Sequence, residues 1–108
     1  MPLYMTHFAY TSEAWAALAK NPEDRKSAVQ KAAEKFGSRL VDLYYHFGEY
    51  DGVLIAEAPD DASVLALLIA VHAPGHLKAT KTTRLFTVAE AMEAMRRAGT
   101  VAYAGPKG

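Results

Sequence analysis

The sequence lacks cysteine and has no excess of either charge. Without cysteine among its 108 residues, the chain cannot form disulfides or thiolate metal sites, and it has no need of an oxidising compartment. Its 12 basic residues balance its 12 acidic ones, so no field spanning the whole chain attracts phosphate groups. These absences predict a cytoplasmic protein that does not bind nucleic acid.

Long apolar runs and familiar catalytic motifs are also absent. The longest apolar run, VLALLIAV at residues 64–71, has eight residues, whereas a membrane-spanning helix needs about 20. The opening MPLY lacks the basic segment and cleavage site of a signal peptide. Since there is no glycine-rich phosphate loop, nucleophile elbow or metal-ligand motif, we predict no cofactor, no metal and no membrane association.

The residues that are present suffice for one folded domain. The chain is 51% hydrophobic and 22% charged, which is near the composition of globular domains. A domain of this size buries only about 65% of the surface that its unfolded chain exposes. We therefore expect part of the apolar surface to be covered by self-association.

Local patterns predict alternating strands and helices. Strands are expected at residues 3–10, 39–47, 52–58 and 77–86. Helices are expected at residues 12–36 (one kinked helix or two in line), from 61 to about 73, and at 88–98. In the first helical segment Asn21 is expected to cap a fresh start with Pro22 at its first position. Thr87 and Glu90 match a capping box for the last helix.

This order predicts an α+β fold. Two split βαβ units form a ferredoxin-like βαββαβ sandwich, in which a four-stranded antiparallel sheet carries helices on one face and an extra C-terminal helix follows. Residues 1–99 form the single domain and residues 100–108 a tail. The second sheet face then needs cover, partly from the last helix and more fully from the same face of a second copy.

The hairpin between the second and third strands carries a resemblance to a known family. Residues 48–51 (GEYD) follow Tyr44-Tyr45, precede a strand that ends in EAPDD at residues 57–61, and are joined later by TTRLF at 82–86. From about Leu3 to the last helix the chain resembles the GYD-domain family of the dimeric α+β barrel superfamily. The resemblance implies a homodimer whose two sheets enclose a barrel.

Related members of that superfamily include cofactor-free quinone-forming monooxygenases, small isomerases and haem-handling enzymes. The GYD family itself implies no settled biochemical role. At position 46, where the family pattern often has a small hydroxyl residue, this chain has His46. The chemistry of that position is therefore not carried over from the family.

Strand alternation selects the candidate site residues. On the second strand one alternating set is mostly apolar and is expected to meet the helices, and the other is mixed and is expected to face the barrel. The apolar set is Val41, Leu43, Tyr45 and Phe47, and the mixed set is Leu40, Asp42, Tyr44 and His46. His7, on the same face as Met5 and Ala9, is expected to join the mixed set.

Three interpretations of this polar face stay open. His46 or His7 acts as a base beside Tyr44 as donor, in a cofactor-free monooxygenase or isomerase. The same residues with Asp42 instead bind a small apolar or aromatic molecule in the cavity at the sheet face of a homodimer. Finally, the polar groups bond only to one another and to water, in a structural or interaction module without a ligand.

Tyr50 and Asp51 have two interpretations as well. In the first, Asp51 bonds amides of its own turn and the Tyr50 ring packs over the end of the hairpin. In the second, both lie at the mouth of the cavity and bind the ligand. The leading hypothesis from the sequence is a homodimer that binds a small ligand.

Overall fold

A computed structural model, in which residues 1–107 are described, contains four strands and four helices. The strands are β1 (Leu3–Tyr10), β2 (Arg39–Tyr45), β3 (Gly52–Glu57) and β4 (Leu77–Leu85). The helices are α1 (Ser12–Lys20), α2 (Arg25–Glu34), α3 (Asp61–His72) and α4 (Val88–Ala98). The strands form one antiparallel sheet in the order β2-β3-β1-β4. The predicted ferredoxin-like fold with an extra C-terminal helix is confirmed.

The first helical segment is two helices, and the predicted start of the second one is wrong. Asn21 ends α1, since its backbone N–H donates to the Ala17 carbonyl at 2.9 Å. The second helix starts only at Arg25, three residues after Pro22. Asp24 caps α2 instead, and its carboxylate accepts from the Ser27 backbone N–H at 3.1 Å.

A small apolar core lies between the helices and one face of the sheet. Phe8, Leu40 and Leu43 are buried there, and Val29 of α2 and Leu54 of β3 pack against them. Even residues of β1 point to this side, because Tyr4, Thr6 and Phe8 are all at most 6% exposed. The helices therefore cover the face that includes the even-numbered half of β1.

A β-bulge on β2 corrects the predicted alternation. Leu40 pairs with Ala56, but Asp42 pairs with the next residue, Ile55, so Val41 is the extra residue. Because of this insertion Leu40 and Leu43 are both buried on the helix side, whereas Val41 is 40% exposed. The predicted faces of Leu40 and Val41 are therefore wrong.

The end of β2 also differs from the prediction. The strand ends at Tyr45, and the expected contact of Phe47 with the helices is wrong, because Phe47 is 97% exposed. Beyond Tyr45 the chain enters the hairpin turn, where Gly48 has a left-handed φ of 121°. Strand alternation no longer determines the direction of a side chain in such a turn.

The apolar helix α3 is covered on fewer sides than its sequence suggests. Leu65 and Ile69 are 59% and 61% exposed, so one side of the helix faces outward. Among the described residues, no helix has both the length and the apolar character that a membrane crossing requires.

Helix α4 projects away from the rest of the domain. It begins with the predicted capping box between Thr87 and Glu90, but none of its residues, all within the described range, is buried. The radius of gyration is 17.8 Å, whereas a compact chain of this length has about 13 Å. The last helix thus leaves the second sheet face uncovered. Residues 101–107 form neither helix nor strand, and Gly108, the end of the predicted tail, lies outside the described residues.

Candidate functional site

The sheet face opposite to the helices, which we name the open face, has no covering element within residues 1–107. Cross-strand partners share a face, so the register defines its members. They are Leu3, Met5, His7 and Ala9 of β1, Arg39, Asp42 and Tyr44 of β2, Val53, Ile55 and Glu57 of β3, and Ala79, Lys81, Thr83 and Leu85 of β4. The face is apolar at its centre and carries charged residues around that centre.

Two histidines and a tyrosine meet at one end of the open face. The ring centroids of His7 and His46 are 5.9 Å apart, and those of His7 and Tyr50 are 5.7 Å apart. Backbone bonds hold this arrangement, because the His46 N–H donates to the Asp51 carbonyl at 2.8 Å. The structure therefore brings together three of the six predicted site residues. Imidazoles at this separation can accept protons or hydrogen-bond to a shared polar group.

Asp42 and Tyr44 form a second polar cluster with a lysine from α2. The Tyr44 hydroxyl donates to Asp42 Oδ2 at 2.6 Å, and Lys26 Nζ donates to Oδ1 at 2.8 Å. Both bonds lower the pKa of Asp42, which falls to about 2, and the bond from Lys26 has the larger effect. The bond to Asp42 also raises the pKa of Tyr44. The Tyr44 hydroxyl therefore donates its hydrogen bond to Asp42 rather than to His46.

Asp51 ties the hairpin turn to the body of the domain. Its Oδ2 accepts from the Tyr10 backbone N–H at 2.8 Å and from Trp15 Nε1 at 3.1 Å. Its own N–H donates to the Phe8 carbonyl at 2.8 Å. These bonds hold the turn against β1 and α1, and they account for Asp51 without a ligand.

A cavity of about 350 Å³ lies between the helices and the sheet. Its walls include aromatic side chains of β1 and alanines of the helices. Representative lining residues are Tyr4, Phe8, Tyr10, Ala14, Ala28 and Ala32. None of the six predicted site residues lines it. The sequence holds one signal for this cavity, since small alanines occupy the inward positions of α1 and α2 opposite large rings of β1.

Polar groups near the cavity are already paired. The Tyr10 hydroxyl bonds to the Tyr45 hydroxyl at 2.9 Å, and the hydroxyls of Thr6 and Thr82 bond at 2.8 Å. Burial raises the pKa of Tyr10. Within residues 1–107, every buried side-chain nitrogen and oxygen atom has a hydrogen-bond partner.

Helix α4 presents an apolar stripe to solvent. Val88, Ala91, Met92 and Met95 recur at positions i, i+3, i+4 and i+7, and the valine and the two methionines are at least 45% exposed. On the opposite side Glu93 forms ion pairs with Arg96 and Arg97. Among the described residues as a whole, α4 included, no group of three or more histidines and carboxylates is arranged to hold a metal ion.

The sheet order and the placement of the helices define a ferredoxin-like α+β protein with one open sheet face. The family model described as "GYD domain" matches residues 4–95. The chain belongs to the GYD-domain family.

One relative has a name that states what it binds. It is a protein of Thermus thermophilus named "glutamine synthetase and cystathionine beta-lyase binding protein". This chain is 33% identical to it over 90 residues, which cover 83% of this chain and 94% of the relative.

Two solved structures are similar to this chain at lower sequence identity. A crystal structure of MtbAldR matches 80% of this chain with a TM-score of 0.59 and 19% identity. This chain spans about half of that protein, 53% of its length. The crystal structure of TTHA0845 from Thermus thermophilus matches 82% of this chain and 96% of its own length, with a TM-score of 0.46 and 17% identity.

Proposed function

We propose that this protein is a homodimeric interaction module that binds a metabolic enzyme. The observation that carries this proposal is the relative named for binding glutamine synthetase and cystathionine β-lyase, which is 33% identical and matched over 94% of its length. Because the match covers nearly the whole relative, it supports the proposal that the two proteins share a binding role. The absence of cysteine supports a cytoplasmic location for this function.

Helix α4 is the element that we assign to enzyme binding. Its stripe of Val88, Ala91, Met92 and Met95 has the spacing by which an amphipathic helix enters an apolar groove. Methionine side chains are flexible and polarizable, and they adapt to differently shaped grooves. Both methionines are exposed, Met92 at 45% and Met95 at 67%, so a partner reaches them without unfolding the domain.

The open face is the surface that we assign to the homodimer. Met5, Val53 and Ile55 supply its apolar centre. At its margin both carboxylates are paired within the protomer, since Arg39 lies 3.1 Å from Glu57 and Lys26 lies 2.8 Å from Asp42. A surface with such pairing is compatible with its own copy across a two-fold axis. A stable interface needs about 800 Å² from each partner, and a four-stranded sheet can supply an area of that order.

Enzyme binding is tested on α4 with two variants of equal charge change. Met95→Glu lies on the apolar stripe and Arg97→Gln on the opposite side, and each lowers the net charge by one. We expect Met95→Glu to weaken binding to glutamine synthetase or cystathionine β-lyase of the source organism by at least tenfold in calorimetric titration. Arg97→Gln should bind like the parent protein. Equal affinities for parent, Met95→Glu and Arg97→Gln would contradict the assignment of α4.

The homodimer is tested separately by sedimentation equilibrium. The parent protein should sediment as a dimer at micromolar concentration, and Ile55→Lys should sediment as a monomer, because it places an unpaired charge at the centre of the open face. Thr83→Lys, near the edge of the same face on β4, serves as a comparison with a smaller expected effect. A monomeric parent protein would refute this part of the proposal.

A second candidate function is small-molecule binding or base chemistry at the open face. It is supported by the 5.9 Å approach of His7 to His46, with Tyr50 beside them. His46 or His7 would act as the base, and Tyr44 becomes a donor only after it leaves Asp42. If the parent protein turns over a panel of hydroquinones and lactones and His46→Ala does so equally fast, His46 is not the base.

A further inference from the structure

The cavity between the helices and the sheet is the feature that the proposed function leaves unused. It measures about 350 Å³, which lies within the usual range of about 300–1,000 Å³ for small-molecule sites. An apolar cavity of about 150 Å³ inside a protein can stay dry and bind benzene. A cavity more than twice as large has room for a two-ring compound.

The walls of the cavity favour an aromatic occupant. Tyr4, Phe8 and Tyr10 contribute rings from the sheet, and Ala28 and Ala32 contribute only methyl groups from α2. The Phe8 and Tyr10 rings are already stacked at a tilt, with centroids 5.5 Å apart. A further ring against this pair gains the edge and face contacts that aromatic groups prefer.

The polar groups around the cavity favour an uncharged occupant. The hydroxyls of Tyr10 and Tyr45 bond to each other at 2.9 Å, and so do those of Thr6 and Thr82 at 2.8 Å. Each pair uses one of its two O–H donors internally, and none of these four hydroxyls carries a charge that would compensate the charge of a buried anion. Burying a charge without a partner is costly, so a charged ligand is disfavoured.

Exposed lining residues indicate an entrance to the cavity. Ala17 of α1, Ala70 of α3 and Pro74 line the cavity and are exposed, so we place its rim there. Glu23 and Arg25 stand beside it, but they neutralise each other at 2.9 Å. A neutral compound can thus reach the cavity past small side chains and a paired charge.

We infer that this cavity is a binding site for a small uncharged aromatic compound with one or two fused rings. It is separate from the open face and from α4, and it does not depend on the proposed binding of an enzyme. The ligand stacks on the β1 rings beneath α2 and α3. It fills space that would otherwise leave the lining side chains without contacts.

The test compares a neutral probe with a charged one of the same ring system. We expect 2-naphthol to bind the parent protein in calorimetric titration at neutral pH, and 2-naphthoate to bind at least tenfold more weakly. Ala28→Phe fills the cavity and should weaken 2-naphthol binding at least tenfold. Ala19→Phe makes the same change at a position of α1 outside the cavity, and it should bind like the parent.

Two further variants test whether a loss of binding arises from misfolding or from binding at the open face. Ala70→Trp obstructs the entrance at an exposed position, so it should fold normally and still lose binding. His46→Ala changes only the open face and should keep the parent affinity, which separates this site from the second candidate function. The inference is overturned if 2-naphthol fails to bind, if both cavity variants bind it like the parent, or if His46→Ala abolishes binding. Loss of enzyme binding by an α4 variant leaves the inference unaffected.

Discussion

Replacing Gly52 with alanine probes the contact between the first residue of β3 and the core. A Cβ atom built at Gly52 overlaps the Phe8 ring. Phe8 is 5% exposed, and its ring centroid lies 5.5 Å from that of Tyr10 and 5.8 Å from that of Tyr45. The ring lines the cavity, so we expect it to yield toward that space and to give up these aromatic contacts.

The expected cost follows from the loss of these contacts. Overpacking a core costs about 1–3 kcal/mol. Because relief of the overlap displaces the Phe8 ring from Tyr10 and Tyr45, we expect Gly52→Ala to lower the free energy of unfolding by about 2 kcal/mol. For a domain of this size that corresponds to a decrease in Tm of roughly 8–16 °C.

The assay is urea denaturation followed by far-ultraviolet circular dichroism, with Tm measured in parallel. Gly105→Ala is the matched control, because a Cβ there meets no atom within 4 Å. In a Phe8→Leu background the smaller side chain should relieve the clash, so the two substitutions should couple. A change in unfolding free energy below about 0.5 kcal/mol for Gly52→Ala, the range of neutral surface substitutions, would refute the steric argument.

Three other substitutions test hydrogen bonds described above. Asp51→Ala removes the acceptor for the Tyr10 N–H and should lower the free energy of unfolding by about 2 kcal/mol, measured in urea. Thr87→Ala removes the N-cap of α4 and should cost that helix about 1 kcal/mol, which is detected as faster amide exchange in α4 alone. Asp42→Asn should abolish the part of the acid sensitivity that arises from the bonds of Asp42 to Lys26, seen as a flatter dependence of Tm on pH below 4.

The direction of the pH effect follows from the lowered pKa of Asp42. Its folded pKa of about 2 lies below the ordinary value of 3.8, so its bonds stabilise the fold fully above about pH 4 and are lost as the pH falls toward 2. Equal acid sensitivity of parent and Asp42→Asn would contradict this. For Asp51→Ala an unchanged urea midpoint, and for Thr87→Ala an unchanged exchange rate, would count against the corresponding bonds.

Much of the fold was predictable because its signals are local. Alternation and turn residues located all four strands, and the order of elements was sufficient to select the ferredoxin-like topology. The bulge at Val41 was not predictable, since one inserted residue depends on how β2 and β3 pair rather than on the local pattern. That single residue decided the faces of Leu40 and Val41.

The candidate site was predictable only in part. Alternation predicted that His7 and His46 share one face, and their ring centroids are 5.9 Å apart although β2 already ends at Tyr45. Alternation could not indicate that the Tyr44 hydroxyl and Lys26 of α2 both bond to Asp42, because it assigns side chains to a face and does not give their hydrogen-bond partners. The cavity was also missed, since its volume depends on the distance between two layers and not on any motif.

Because α4 projects from the domain, the residues available for partner binding differ from those that stabilise the fold, whereas in a small domain the two requirements usually fall on the same residues. Because none of its residues is buried against the rest of the described chain, substitutions on its apolar stripe leave the core unchanged. A mutation there can alter the affinity for a partner without lowering the stability of the sheet and the three preceding helices. In descendants of this gene, new partners could therefore be acquired on α4 while the folded body is inherited intact.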